Sequence, residues 1–144
     1  MKPAKPYNGG TWTDARFHSF IVSQLRKGQW PQKYKAIQNA FVENGINPKT
    51  GRKCKFHRCA ECKELFVAKE MRADHIVPVV DPAIGFVDWN EYIERMFPEV
   101  EGFQAICVDC HKVKTAEERA IRDARKRKLK EAEKQQTEPE LDLS

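Results

Sequence analysis

The apolar and polar positions divide the chain into stretches of different period. Phe17, Phe20, Ile21 and Leu25 recur every three or four residues, the mark of one helix face, with Thr13 or Asp14 as cap and Gly28 as stop. Pro31 suits the first turn of a second helix, with Tyr34, Ile37 and Phe41 on one face and Asn44-Gly45 as its end. Between residues 63 and 80 the period shortens. The clusters Leu65-Phe66-Val67 and Ile76-Val77 predict the two short strands of a hairpin. Trp89, Tyr92, Ile93 and Met96 return to helical spacing and stop before Pro98. From Val108 onward a longer helix is expected, with Val113, Ala116, Ala120, Ile121 and Ala124 as its apolar stripe. Past Arg125 that helix is almost wholly charged and is expected to leave the core.

These patterns order the chain into four parts. Residues 1–10 read as a flexible leader, 11–53 as a helical basic arm, 54–126 as the folded core, and 127–144 as a charged, partly disordered tail. The core includes a locally acidic insertion over 81–101. A chain of 144 residues suits one domain. With 33% charged residues and a mean hydropathy of -0.71, apolar packing alone is a thin basis for it.

A net charge of +5 and a pI near 9.0 direct attention to a polyanionic partner, nucleic acid above all. Arg52, Lys53, Lys55 and Arg58 sit in a stretch almost without acids and are candidate phosphate contacts. No apolar run approaches the roughly 20 residues that span a bilayer, and the start lacks a signal-peptide pattern. A cytoplasmic protein without membrane contact is expected, in which close cysteine pairs are metal ligands rather than disulfides.

Two such pairs occur, Cys59-Ala-Glu-Cys62 and Cys107-Val-Asp-Cys110. Each Cys-x2-Cys turn can present both sulfurs on one side, and two turns close a tetrahedral four-thiolate zinc site. Four thiolates leave no open position, so this zinc is read as structural. Cys54 is a spare thiol, and His18 and His57 are read as surface or packing residues.

Asp74-His75 lies between the knuckles, and His111-Lys112-Val113-Lys114-Thr115 directly follows the second. In this combination the chain resembles the HNH endonucleases of the ββα-metal superfamily, and phage-encoded members most. The resemblance covers roughly residues 11–118. It implies an α+β fold: a small ββα-metal core with a four-cysteine zinc site, preceded by two short helices and followed by a basic C-terminal helix. It also implies hydrolysis of DNA phosphodiester bonds, leaving 5′ phosphate and 3′ hydroxyl ends. Asp74 and His111 would then hold one catalytic divalent ion (Mg2+, Mn2+, Ni2+ or Zn2+), with His75 as general base. Lys112 and Lys114 would contact flanking phosphates, and weak sequence specificity is expected.

The resemblance to phage members implies a role in DNA packaging beside a terminase, or in degrading host DNA, in the host cytoplasm; the sequence does not fix the oligomeric state, a monomer being favoured. One departure stands out. Gly102 occupies the position of the family's middle Asn and has no side-chain amide; Asn90 and Gln104 are the candidates to replace it. A catalytically weakened, zinc-containing module that binds nucleic acid is the alternative reading.

Overall fold

The computed structural model describes residues 2–137, which fall into two compact units, one ending at Pro31 and the other beginning at Gln32. The first is built on α1 (Asp14–Lys27), whose Thr13 hydroxyl accepts the Arg16 N–H and whose C-cap is Gly28, as the pattern predicts. Part of the expected flexible leader is ordered. Tyr7 and Trp12 bridge across a tight turn in which Asn8, Gly9 and Gly10 all have positive φ. The Tyr7 ring stacks on Phe17 at 4.0 Å, Trp12 lies 5.2 Å from Phe20, and Arg16 covers Trp12. Aromatic stacking substitutes for a core here, because no residue of α1 is buried.

The second unit departs from the expected helical arm. Its helix α2 (Pro31–Asn39) ends before Phe41, and residues read as helix stop lie inside a strand. Strands β1 (Phe41–Ile46) and β2 (Lys53–Arg58) pair antiparallel, and β3 (Leu65–Val67) adds to β2 over three residues, giving a sheet of order β1-β2-β3. The turn signal that decides this is Asn47-Pro-Lys-Thr-Gly51, where Gly51 takes φ +70 and its N–H donates to the Asn47 carbonyl at 2.7 Å. Asn44-Gly45 carries no helix end: Gly45 is the place where the Phe56 ring lies against the neighbouring strand, leaving no room for a Cβ.

The expected hairpin over 63–80 is also redrawn. Strand β4 (Met71–His75) does not pair with β3 but with β5 (Phe103–Cys107), across the whole acidic insertion. The register runs from Met71 opposite Cys107 to His75 opposite Phe103. Ile76 and Val77 lie outside the strand and are exposed. Within the insertion, α3 (Trp89–Met96) forms where predicted, capped by Asp88 and burying Tyr92 and Met96.

Directly after β5 comes α4 (Val108–Thr137), so β4, β5 and α4 make a ββα unit in chain order. All described side chains from Lys126 to Gln136 are exposed, in keeping with a helix that runs off the core. The expected disordered tail falls partly on 138–144, outside the described residues. The apolar stripe is placed differently from expectation: Val113 and Ile121 are exposed, and Ala124 alone of the five is half-buried. The inward face of α4 carries Cys110, His111, Lys114 and Glu118 instead.

The buried cluster is small: Cys59, Met71, Ala105, Ile106 and Cys107, with Ile37, Ala40, Phe66 and Cys110 packed against it. Three cysteines of the two knuckles thus belong to the core or its margin. Below it, Gly102 closes the insertion. Its N–H donates to the Glu99 carbonyl at 2.9 Å and its own carbonyl accepts the Ile76 N–H at 3.0 Å. A Cβ at this position would meet the Pro98 Cβ at 2.6 Å. Gly102→Asn is therefore expected to destabilise the zinc-loaded protein by about 1–3 kcal/mol through overpacking. Urea denaturation measures this, and an unchanged midpoint would mean the Pro98 turn yields freely.

Candidate metal centre

Cys59 follows β2 and Cys62 lies in the turn before β3, a turn closed by the Lys63 N–H on the Cys59 carbonyl (3.0 Å), with Lys63 itself at φ 65. Cys107 ends β5 and Cys110 sits in the first turn of α4. The Ala60 N–H donates to the Ala105 carbonyl at 2.9 Å and so ties the first knuckle to β5. These backbone constraints bring all four sulfurs within 4.8 Å of one another. The Cys62 and Cys107 sulfurs are 4.0 Å apart, near the about 3.8 Å edge of a tetrahedron with Zn–S bonds of about 2.3 Å. Backbone N–H groups also point at sulfur, Cys107 N–H to Cys59 Sγ at 3.3 Å and Cys110 N–H to Cys107 Sγ at 3.4 Å.

The electrostatics of the four sulfurs are consistent with a cation held between them. Burial raises the Cys59 thiol, but hydrogen bonds from the backbone of Cys107, Cys62 and Glu61 outweigh it and bring the pKa to about 6. Its neighbours then resist ionisation: hydrogen bonding to Cys107, burial and the adjacent sulfurs push Cys110 up to about 12. Four thiolates share one site only around a dication, and sulfur donors in this number suit zinc. Cys54 on β2 stays outside the cluster. His57 is 5% exposed with its Nδ1 unpartnered, packed edge-on to Phe41 at 6.2 Å between ring centres.

A second polar cluster adjoins the knuckles on the α4 side of β4. Asp74, 9% exposed, accepts from Gln104 Nε2 at 2.9 Å, its partner across the β4–β5 register. Its Oδ1 lies 3.9 Å from His111 Nε2, and its Oδ2 pairs with the Lys114 ammonium. Lys114 also donates to the His75 carbonyl at 2.9 Å. The Lys114 side chain is thus folded inward onto Asp74, whereas Lys112, Arg52, Lys53, Lys55 and Arg58 are exposed.

His75, next along the strand, turns to the opposite side. Its ring packs on Phe103 with centres 4.7 Å apart, and its Nε2 is 2.9 Å from the Met96 carbonyl. A carbonyl only accepts, so Nε2 carries the hydrogen and Nδ1 is left with its lone pair. Burial lowers the His75 pKa below the ordinary imidazole value, opposed in part by that hydrogen bond, so the ring is neutral at pH 7.

Three of these contacts escape a reading of the sequence. Lys114 at i+3 from His111 shares its helix face, a signal present in the spacing. Gln104 meets Asp74 only through strand register, and the Met96 carbonyl reaches His75 only through the fold of the insertion. Asn90 is exposed on α3 and Gly102 contributes main-chain groups alone.

Fold and site together define a small α+β protein with a four-cysteine cluster fit for zinc. No family model matches the chain, and no curated protein or solved structure matches it either. Among the described residues no helix is long and apolar enough to cross a membrane.

The purified chain is expected to carry about one zinc ion, read by elemental analysis. Cys107→Ser should lose it and unfold the core, because metal binding contributes directly to folding free energy. A metal-free chain with an unchanged cooperative thermal transition would remove the clamp.

Proposed function

We propose that this protein is a metal-dependent endonuclease of the HNH type, hydrolysing DNA phosphodiester bonds. The observation that carries the reading is the placement of Asp74 and His111, 3.9 Å apart on the strand and helix of a ββα unit that the four cysteines clamp. Two bonds of about 2.1 Å from a single ion span up to about 4.2 Å, so one carboxylate oxygen and one imidazole nitrogen at this separation fit a shared divalent ion. Such an ion, when bound, supplies neutralisation of charge on the scissile phosphate and the departing oxygen.

His75 supplies the other half of the chemistry. Its Nδ1 takes a proton from a water whose oxygen attacks phosphorus; the bond to the 3′ oxygen breaks and that oxygen takes a proton from solvent, leaving a 5′ phosphate and a 3′ hydroxyl. The Met96 carbonyl fixes the tautomer, and burial, which lowers the pKa, favours the unprotonated ring that can accept a proton. The carbonyl of Gly102, bonded to Ile76 N–H directly after His75, holds that segment where the family uses an Asn amide. Lys112 and the basic residues of β2 are candidates for phosphate contacts that give affinity without sequence information. The phage setting, with packaging beside a terminase or host DNA degradation as the role, rests on the sequence resemblance alone.

One observation favours a second reading, a zinc module that binds nucleic acid without cutting it: Lys114 already holds the Asp74 carboxylate that a divalent ion needs. Supercoiled plasmid incubated with Mg2+, Mn2+ or Ni2+ separates the two. Wild type is expected to nick it, and His75→Ala to lower the rate by about 10²–10⁴-fold. Intact plasmid under every metal, with a persistent gel shift, would install the second reading.

Lys114 generates a separate expectation. Lys114→Met is expected to tighten Mn2+ binding by about tenfold, measured by calorimetry, because it frees the carboxylate. Lys112→Met removes an equal but exposed charge and is expected to change it by less than about threefold. Equal affinity in Lys114→Met and wild type would mean that Lys114 does not compete.

A further inference from the structure

Beyond Lys55 the first sheet has only two strands. β3 pairs with Phe56, His57 and Arg58 and goes no further, whereas β1 follows β2 from Phe41 opposite His57 to Ile46 opposite Lys53. The outer part of the hairpin is therefore a free antiparallel ribbon. Directly opposed residues share a face. Asn44 with Lys55, and Ile46 with Lys53, point to one side, while Glu43 with Phe56 and Gly45 with Cys54 point to the other. The second side is closed by the Phe56 ring lying on Gly45. On the first side all four residues are exposed, Ile46 at 57%.

The ribbon is also pre-shaped. Asn47 N–H donates to the Arg52 carbonyl at 2.8 Å, Lys49 N–H to Asn47 Oδ1 at 2.9 Å, and Arg52 N–H to Thr50 Oγ1 at 3.3 Å. Lys49 anchors the tip to the short helical turn before β4 through an ion pair with Glu70 at 3.0 Å. From Asn44 to Lys55 there are four cationic residues, Lys49, Arg52, Lys53 and Lys55, and no acidic one.

We propose that the β1–β2 ribbon enters the major groove of duplex DNA and reads its sequence, with Asn44 and Lys55 at the base edges. This rests on the DNA-binding half of the function proposed above, but not on cutting. Two strands about 4.8 Å apart, with their side chains, fit a groove about 12 Å wide. An amide pairs with the donor and acceptor of adenine, an ammonium with the acceptors of guanine, and an apolar side chain such as Ile46 with the thymine methyl. Arg52 and Lys53 are placed for the phosphates that line the groove. Duplex RNA is disfavoured as the partner, because its major groove is too deep and narrow for side chains to read. A ribbon that joins base-reading groups to cationic ones would give more specificity than the weak one expected from the sequence.

The test is selection from a random duplex library by the full zinc-loaded chain, in buffer without added divalent ion. Wild type is expected to enrich a short motif. Asn44→Ala and Lys55→Ala should each lose preference at a position of that motif, with Asn44→Ala weakening non-specific duplex binding by less than about threefold. Arg52→Ala should weaken all duplexes alike and reduce the salt dependence by about one counterion. All three positions are exposed, and equal zinc content in the variants verifies their folding. No motif from wild type, a motif that survives in the Asn44→Ala/Lys55→Ala double variant, or tighter binding to duplex RNA would each overturn the proposal. Plasmid cutting scored alongside separates the two readings. Cutting without a motif removes the ribbon's role alone, and a motif without cutting removes the nuclease alone.

Discussion

Four sulfurs within 4.8 Å of one another join the turn after β2 to the end of β5 and the first turn of α4. Two of them, Cys59 and Cys107, are buried in the hydrophobic cluster, and Cys107 lies opposite Met71 in the β4–β5 register. The same few residues therefore make the core, begin the long helix and terminate the strand. A chain with a third of its residues charged has little apolar surface to bury, and a cluster of five buried residues is a small core for it. Crowding opposes ionisation of these thiols, with Cys110 at about 12 beside Cys59 at about 6, and a cation would let all four ionise together. Binding of an ion there would couple directly to packing of the core.

The helix phase follows from that clamp. Because Cys110 faces the knuckle, Lys114, one turn on, and His111, next along the helix, face β4 and meet Asp74. Val113 falls on the other side of Cys110 from His111 and is exposed. The inward stripe of α4 is polar, and its partners are a carboxylate and sulfurs rather than a hydrophobic layer. On the other side of β4, the insertion returns Met96 and Gly102 to the strand end, so that main-chain carbonyls hold His75 and Ile76. The close approach of Pro98 to Gly102 leaves no space for the side chain that the resemblance leads one to expect there.

Charge is distributed unevenly over this frame. The insertion is acidic, whereas the outer β1–β2 ribbon is cationic without internal opposition, and the emergent half of α4 is densely charged with an excess of base up to Lys130. In the proposed nuclease the reacting groups belong to the β4–β5–α4 unit and the sequence-reading groups to the separate three-stranded sheet. That division would let affinity and chemistry be altered independently.

The cysteine spacing, the Asp-His pair and the Cys-His junction were readable along the chain, because metal knuckles and helix starts are local and their residue types are few. So were α1 with its Thr13 cap, α3, and the onset of α4, whose signals lie within a few residues of one another. Strand pairing was not. Short apolar clusters at 65–67 and 76–77 suggested a local hairpin, yet β4 found its partner beyond the insertion, since pairing is decided by the register that buries Met71, Ile106 and Cys107 together. The hairpin at Phe41–Arg58 was hidden behind an Asn-Gly pair that mimics a helix stop. The i+3 spacing puts Lys114 on the His111 face, but the contacts of Gln104 with Asp74 and of the Met96 carbonyl with His75 depend on register and packing that no linear pattern encodes.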